Sequence, residues 1–240
     1  MANKLYDENS VKAVADAIRV KNGSTEKYKL ADMPQAIENI QTIPEGNCWG
    51  YIEDFKISRF AETGETLNVV LPKYVRSLYR SFAAAYGQEI VKYKTLIVSK
   101  PDEAEYPVTS ISEIFYYNRG TEEFYMNFDT SHVTNFSSLF DLHGVLHSVY
   151  GVFDLSSMKK SAGNAFNCNS LKKITFKQGT ICYSISFMNC SSLSDESIQS
   201  IIDGLAQAET AQIITFHATV KAKLTEEQIA TINEKGWTLA

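Results

Sequence analysis

The sequence predicts an α/β fold, in which a short, irregular solenoid of stacked repeats follows an N-terminal helical segment and ends in a helix–strand–helix cap. Three observations lead to this fold. Short sequence motifs that end in Phe, called phrases below, recur along the middle of the chain. Apolar residues near its start fall at helical spacing, and capped helices flank a strand near its end. We expect three regions: residues 1–45, 46–193 and 194–240.

The N-terminal region is predicted to form two short amphipathic helices. The first begins behind Asn9 and Ser10, either of which can cap it, and the second begins at Asp32, which forms a capping box with Gln35. Two short helices cannot bury their apolar stripes alone. We therefore expect this region to dock or to oligomerise through the apolar residues Val11, Val14, Ile18, Met33, Ile37 and Ile40.

Related phrases run through the middle of the chain, and most of them end on a Phe. The positions Phe115, Phe140, Phe166 and Phe187 lie 25, 26 and 21 residues apart. Such periods are typical of solenoids, because one turn has a single apolar face and buries it only by stacking on its neighbours. The phrases are Val75–Phe82, Val108–Phe115, Val133–Phe140, Met158–Phe166 and a truncated Ile185–Phe187.

A short strand is predicted in each repeat, and its alternation divides side chains between core and surface. The expected inward residues are Phe124, Met126 and Phe128, then Leu146, Val149 and Gly151, then Leu171, Ile174 and Phe176. The candidate ligand-binding residues face outward between them: Tyr125, Tyr150, Lys173 and Thr175. Exposed tyrosines on a rigid sheet suit contacts with protein or sugar. Alternatively, they pack beneath the N-terminal segment or against another subunit.

Two stretches of the repeat region carry a recognisable unit. Phe128–Phe140 reads FDTSHVTNFSSLF, and Leu71–Phe82 reads LPKYVRSLYRSF. They resemble the FDTSNVTNMSSMF and IPxxVxxIxxxAF units of the BspA-like leucine-rich repeats. The resemblance implies a leucine-rich-repeat solenoid used for binding and display rather than catalysis, in a family that spreads across bacterial surface proteins and bacteriophage proteins.

The C-terminal region is predicted to close the solenoid. Ser194 caps a helix, Ala211–Ala218 forms a strand, and Thr225 with Gln228 forms the capping box of a last helix that ends at Lys235–Gly236. The apolar residues of the two helices are Ile198, Ile201, Ile202, Leu205, Ile229 and Ile232, and Trp237 and Leu239 follow as further core contacts. A solenoid needs such a cap to cover its last turn.

The two ends of the chain point to a particular setting. Leu224–Gln228 and Lys235–Ala240 resemble the ends of many phage-encoded tail and baseplate proteins. Val14–Arg19 and Tyr28–Ile37 are similar to the short leader of the same proteins. These resemblances imply a virion protein that is assembled in the cytoplasm of the bacterial host.

Charge and hydropathy exclude several function classes. The formal net charge is −5 with no Lys/Arg cluster, so we expect no nucleic-acid partner. The polar start of the chain is not a secretion signal, and no apolar run is long enough for membrane insertion.

The cysteines are expected to be structural. Cys168 and Cys190 occupy the same place in successive repeats, which predicts an inward ladder of small side chains, with a disulfide as the alternative. Cys48 and Cys182 add no CxxC spacing, so zinc is not expected.

The sequence contains no recognisable set of catalytic residues. None of the four histidines lies in a nucleophile motif, and a metal site at His143 and His147 is not expected, because they lie in a turn that runs into a strand. The pairs Asp102–Glu103 and Glu122–Glu123 are interpreted as solvated loops or rung edges, and Asp129 and Asp154 as acceptors in tight turns. We expect neither an enzyme nor a cofactor.

The function predicted from these features is that of a non-enzymatic phage virion protein of the tail or baseplate. Its repeat surface would serve host-receptor binding or structural assembly. The expected partners are other virion proteins, further copies of the chain in a homo-oligomer such as a trimer, and a host cell-surface glycan or protein. A bacterial surface adhesin or protein-interaction module is the alternative, against which the absence of a signal peptide counts.

Overall fold

The computed structural model describes Ala15 and residues 52–53, 56–57, 66–73, 75–83, 93–100, 106–116, 118–141, 144–162 and 164–240. The chain forms two compact units, Met1–Gly46 and Asn47–Ala240. In the first unit Ala15 is helical and buried, as the predicted first helix requires. The predicted docking residues lie outside the described residues, so their role stays a prediction: Val11, Val14, Ile18, Met33, Ile37 and Ile40.

The second unit contains nine strands and three helices among its described residues. The strands are β1 (Ile52–Glu53), β2 (Lys56–Ile57), β3 (Thr66–Val70), β4 (Thr95–Ser99), β5 (Glu123–Asn127), β6 (Ser148–Tyr150), β7 (Ile185–Phe187), β8 (Gln212–Phe216) and β9 (Trp237–Leu239). The helices are α1 (Asp195–Gly204), α2 (Ala218–Lys221) and α3 (Glu226–Glu234).

Parallel pairing in register dominates this unit. Strands β3, β4, β5 and β6 lie side by side in that order, and β7, β8 and β9 form a second parallel sheet, whereas β1 and β2 pair antiparallel. Alternate side chains of β3 to β6 are buried, as expected for a sheet with one face on the core. One buried row consists of Leu67, Leu96, Phe124 and Val149. The predicted α/β class is thus confirmed.

A column of buried phenylalanines runs through the core. Five of the rings come from the ends of successive phrases, and the column ends where Phe187 of β7 stacks on Phe216 of β8. Successive ring centroids lie 6.1, 5.8, 6.1, 4.9 and 5.9 Å apart along Phe82, Phe115, Phe140, Phe166, Phe187 and Phe216. Their recurrence in the sequence therefore corresponds to stacking in space, because each turn places its Phe against the one before it.

Most of the C-terminal elements were predictable from the capping residues at the start of their helices. The Ser194 side chain accepts a hydrogen bond from the Ser197 backbone at the start of α1, and Thr225 and Gln228 form the predicted capping box of α3. Two elements were not predicted: the single-turn α2, and β9, where Trp237–Leu239 pairs with β8 instead of supplying core contacts alone. Leu205 lies at the C-cap of α1, just beyond the helix.

Tight turns recur at equivalent positions. The carboxylates of Asp129 and Asp154 accept hydrogen bonds from the backbone N–H of Ser131 and Ser156, at 2.9 and 3.0 Å, which confirms their predicted structural role. The pKa of Asp154 falls below its ordinary value: burial raises it, but hydrogen bonds from Lys177 and Ser156 more than offset that effect.

The sequence analysis missed several strands and predicted one that does not form. The strands β3 and β4 were missed, since no repeat phrase covers them. In contrast, the segment from Leu171 to Phe176 forms only isolated bridges, with Lys173 opposite Ser148 and Phe176 opposite Phe153. Its inward residues are buried as predicted, but a single bridge at each place is shorter than the expected strand.

Position 151, directly after β6, requires glycine for a steric reason. Its φ is +121°, and a Cβ there would lie 2.5 Å from the carbonyl oxygen of Met126 in the neighbouring turn. A side chain at this position would therefore clash with backbone. The sequence pattern placed Gly151 among the inward-facing residues of its repeat. The structure shows that the backbone at Gly151 closely approaches the backbone of the neighbouring turn.

Candidate functional site

The outer face of the four-stranded sheet carries the predicted site residues. In the row next to the buried one, Ile97 of β4, Tyr125 of β5 and Tyr150 of β6 lie opposite each other in register. The ladder continues to Lys173, which is bridged to Ser148. We call Glu123, Tyr125, Tyr150 and Lys173 the tyrosine strip.

The two tyrosines of the strip stack on each other. Their ring centroids are 4.2 Å apart and their planes differ by 13°. The Lys173 ammonium lies 4.3 Å from the centroid of the Tyr150 ring, within the range of a cation–π contact. Since β6 lies between β5 and Lys173, the ammonium and Tyr125 cover opposite faces of Tyr150. Three of the four predicted residues are thus brought together in one stack.

Thr175 is less exposed than an outward-facing ligand-binding residue was expected to be. It is half-buried, and its backbone carbonyl accepts a hydrogen bond from the Phe153 N–H at 2.9 Å. Among the described residues, its side chain forms no hydrogen bond with Tyr125 or Tyr150. We therefore leave Thr175 out of the strip.

Glu123 is a strip residue that the sequence analysis missed. The Tyr150 hydroxyl donates to its carboxylate at 3.4 Å. The pKa of Tyr125 is raised by partial loss of hydration, and then by its hydrogen bond to Tyr150 and the nearby charge of Glu123. Glu123 is the first residue of β5, so the alternation that places Tyr125 outward also places Glu123 outward. That signal was available in the sequence.

A serine, a histidine and a carboxylate also lie beside the strip. The Ser148 Oγ is 3.0 Å from His147 Nδ1, and His147 Nε2 is 3.8 Å from a Glu122 carboxylate oxygen. The order is that of a hydrolase triad, but the second distance exceeds a hydrogen bond. The backbone N–H groups of Ser148 and Val149 are already paired with neighbouring turns, so neither is free to stabilise an oxyanion.

The described residues hold no group of three His, Cys, Asp or Glu side chains that could bind a metal ion. Of the pair considered in the sequence, His143 lies outside the described residues and His147 is engaged with Ser148 and Glu122. No helix in the described part of the chain has both the length and the apolar character needed to span a membrane.

The cysteines at equivalent repeat positions are reduced and buried, as predicted. The Cys168 thiol donates to the Leu146 carbonyl at 3.1 Å, and the Cys190 thiol donates to the Phe166 carbonyl at 2.7 Å. Burial raises the pKa of Cys168 to about 12 and that of Cys190 to about 11. Both are therefore inert thiols that bridge adjacent turns, while Cys182 is exposed.

A second aromatic cluster surrounds two arginines at the other end of the repeats. The Arg76 guanidinium lies 3.7 Å from the centroid of Tyr106, and that of Arg80 lies 5.1 and 4.9 Å from those of Tyr79 and Tyr116. These cations are held within their own cluster.

Comparison with known proteins adds no relative: no protein-family model, no curated protein and no solved structure matches the chain. The resemblance to the BspA-like repeats therefore stays a prediction from the quoted residues.

Proposed function

We propose that the chain is a non-enzymatic virion protein of a phage tail or baseplate, which uses the tyrosine strip as a binding surface for a host receptor or a neighbouring virion subunit. The stack of Tyr125, Tyr150 and Lys173 on a parallel ladder carries the proposal. Its side chains are held in place before any partner arrives, so binding costs little conformational entropy.

The composition of the strip also favours binding over catalysis. Tyrosine has a large ring with few rotatable bonds, and it is enriched among residues that dominate interface energetics. Beside Ser148 and His147, the backbone N–H groups of Ser148 and Val149 are paired with neighbouring turns and do not supply the oxyanion donors that acyl transfer requires. A display surface fits these features better than a reaction centre.

The proposed architecture is a short leucine-rich-repeat solenoid with a C-terminal cap. It is supported by strands paired in parallel register and by a phenylalanine that each turn stacks on the last. In this proposal α1, β8 and α3 cover the final turn, where Phe216 stacks on Phe187. Residues 1–45 would dock the chain onto the particle or join copies of it in a homo-oligomer.

The virion assignment is tested by particle composition. Mass spectrometry of purified phage particles from the strain that carries the gene should detect the chain together with tail proteins, and the neighbouring genes should encode tail or baseplate components. Absence from the particles, with no tail genes nearby, would contradict the proposal. Detection on the bacterial surface instead would favour the adhesin alternative.

A further inference from the structure

We infer that the tyrosine strip binds a polypeptide through a basic side chain placed on Glu123, and that it does not bind by stacking a sugar on Tyr150. The inference rests on the proposed function, in which the strip is a binding surface, and it goes further by naming the chemical class of the partner. Both parts follow from which atoms of the strip remain available.

Both faces of the Tyr150 ring are already occupied. A sugar packs its C–H face against the negative face of an aromatic ring, so it needs one ring face turned to solvent. Tyr125 covers one face of Tyr150 and the Lys173 ammonium covers the other. On the other side of Tyr125 the row continues with Ile97, its partner in β4. Tyr150 therefore presents its ring edge and hydroxyl group rather than a ring face.

Glu123 is the charge that the strip leaves without an ionic partner. Its carboxylate accepts a hydrogen bond from the Tyr150 hydroxyl, and it forms no ion pair with any described residue. Lys173 directs its ammonium to the Tyr150 ring instead. Next to it, the Glu122 carboxylate lies 3.8 Å from His147 Nε2. This edge of the strip thus carries negative charge beside fixed phenol groups.

Charge complementarity selects the partner. An Arg or Lys side chain can pair with Glu123 while its aliphatic stem packs along the tyrosine edges. Tyr125, two residues along β5 from Glu123, lies opposite Ile97, which is half-buried, so an apolar residue of the partner can pack beside the charge. A polypeptide supplies both a basic and an apolar side chain, whereas a neutral glycan supplies neither.

The test is selection of a random-peptide display library on the full chain. We expect selected peptides to be enriched in Arg or Lys beside an apolar residue. Glu123→Gln keeps an acceptor for the Tyr150 hydroxyl but removes the charge, and should weaken binding of the best peptide about tenfold. Glu209→Gln, at an exposed position outside the strip, makes the same change in net charge and should leave binding unchanged.

Other outcomes overturn the inference. These are peptides without basic enrichment, no selected peptide at all, or equal losses in the two variants. An oligosaccharide array that shows saturable binding by the full chain, lost in Tyr150→Ala, would establish a glycan site instead. The particle analysis described above is independent, so a virion protein with a different partner is distinguishable from a chain that is no virion protein.

Discussion

The Phe166 and Phe187 rings stack with centroids 4.9 Å apart and planes tilted by only 25°, although they belong to different turns of the chain. This contact joins the phenylalanine column of the repeats to the C-terminal sheet, which contains Phe187. Loss of either ring would leave a cavity in the core, because both rings are fully buried.

We predict that Phe166→Ala lowers the free energy of unfolding by about 3–5 kcal/mol, through lost burial and the cavity left behind. Phe166→Leu, which retains much of the volume, should cost about 1.5 kcal/mol and keep the chain folded if the alanine variant does not fold. Val152→Ala, at an exposed site, is the control and should change stability by less than about 0.5 kcal/mol. Urea unfolding followed by circular dichroism measures all three, and equal effects at Phe166 and Val152 would contradict the column.

Left-handed backbone at Ser138 leads to a second prediction. Its φ is +49°, a conformation that costs a residue with a Cβ about 1–2 kcal/mol relative to glycine. Ser138→Gly should therefore raise the free energy of unfolding by about 0.5–1 kcal/mol, after the greater freedom of glycine in the unfolded chain is subtracted. Ser138→Ala keeps the strain and should not stabilise. Stabilisation by alanine equal to that by glycine would show that backbone strain is not the cause.

Asp154 should make stability depend on acid pH. Its pKa is lowered in the fold, since the bonds from Lys177 and Ser156 outweigh burial. A depressed pKa contributes stability that is fully present above the unfolded value of about 3.9 and is lost as the pH falls through the folded pKa. Asp154→Asn should be less stable than the wild type at pH 7, and the difference should shrink below pH 4. Urea midpoints between pH 2.5 and 7 measure this, and parallel curves for the two proteins would refute it.

Thiol reactivity should separate the three described cysteines. Cys168 and Cys190 are buried, and burial raises their pKa to about 12 and about 11, so neither thiolate nor reagent access is available near neutral pH. Iodoacetamide at pH 8 should modify Cys182 in the native chain, and the other two only after unfolding in urea. Peptide mass spectrometry reads each site separately. Native labelling of Cys168 at the rate of Cys182 would contradict the buried ladder.

The sequence was informative where a local pattern decides the structure. Capping residues such as Ser194 and Thr225 predict helices, because their side chains form hydrogen bonds within one turn of the chain. The recurrence of Phe140 and Phe166 reflects stacked turns. The strands β3 and β4 escaped because their buried residues alternate outside any repeat phrase. The signal there was a short apolar run, Leu96, Ile97 and Val98, which does not show which residues face inward.

The outward direction of Tyr125 and Tyr150 was predictable from the same alternation, but their mutual contact was not. Stacking at 4.2 Å depends on the register between two turns, which the pairing of Tyr125 opposite Tyr150 sets in three dimensions. The position of Lys173 over a ring likewise depends on a bridge to Ser148. Tertiary register therefore turns two half-buried tyrosines into a stack in which both faces of Tyr150 are covered.

The central claim is that the tyrosine strip is the binding surface of a virion protein, and infectivity tests it most directly, because failed assembly and failed adsorption both lower it. The measurement is the infectious titre per particle genome of the phage that carries the gene. The double variant Tyr125→Ala/Tyr150→Ala is compared with Ser186→Ala/Thr215→Ala, which changes two residues that pair with each other on the C-terminal sheet. Circular dichroism confirms that both variants fold. We predict a fall of at least about tenfold for the tyrosine variant only, which corresponds to about 1.4 kcal/mol of binding free energy. An unchanged titre for the tyrosine variant, or an equal fall for both, would contradict the account.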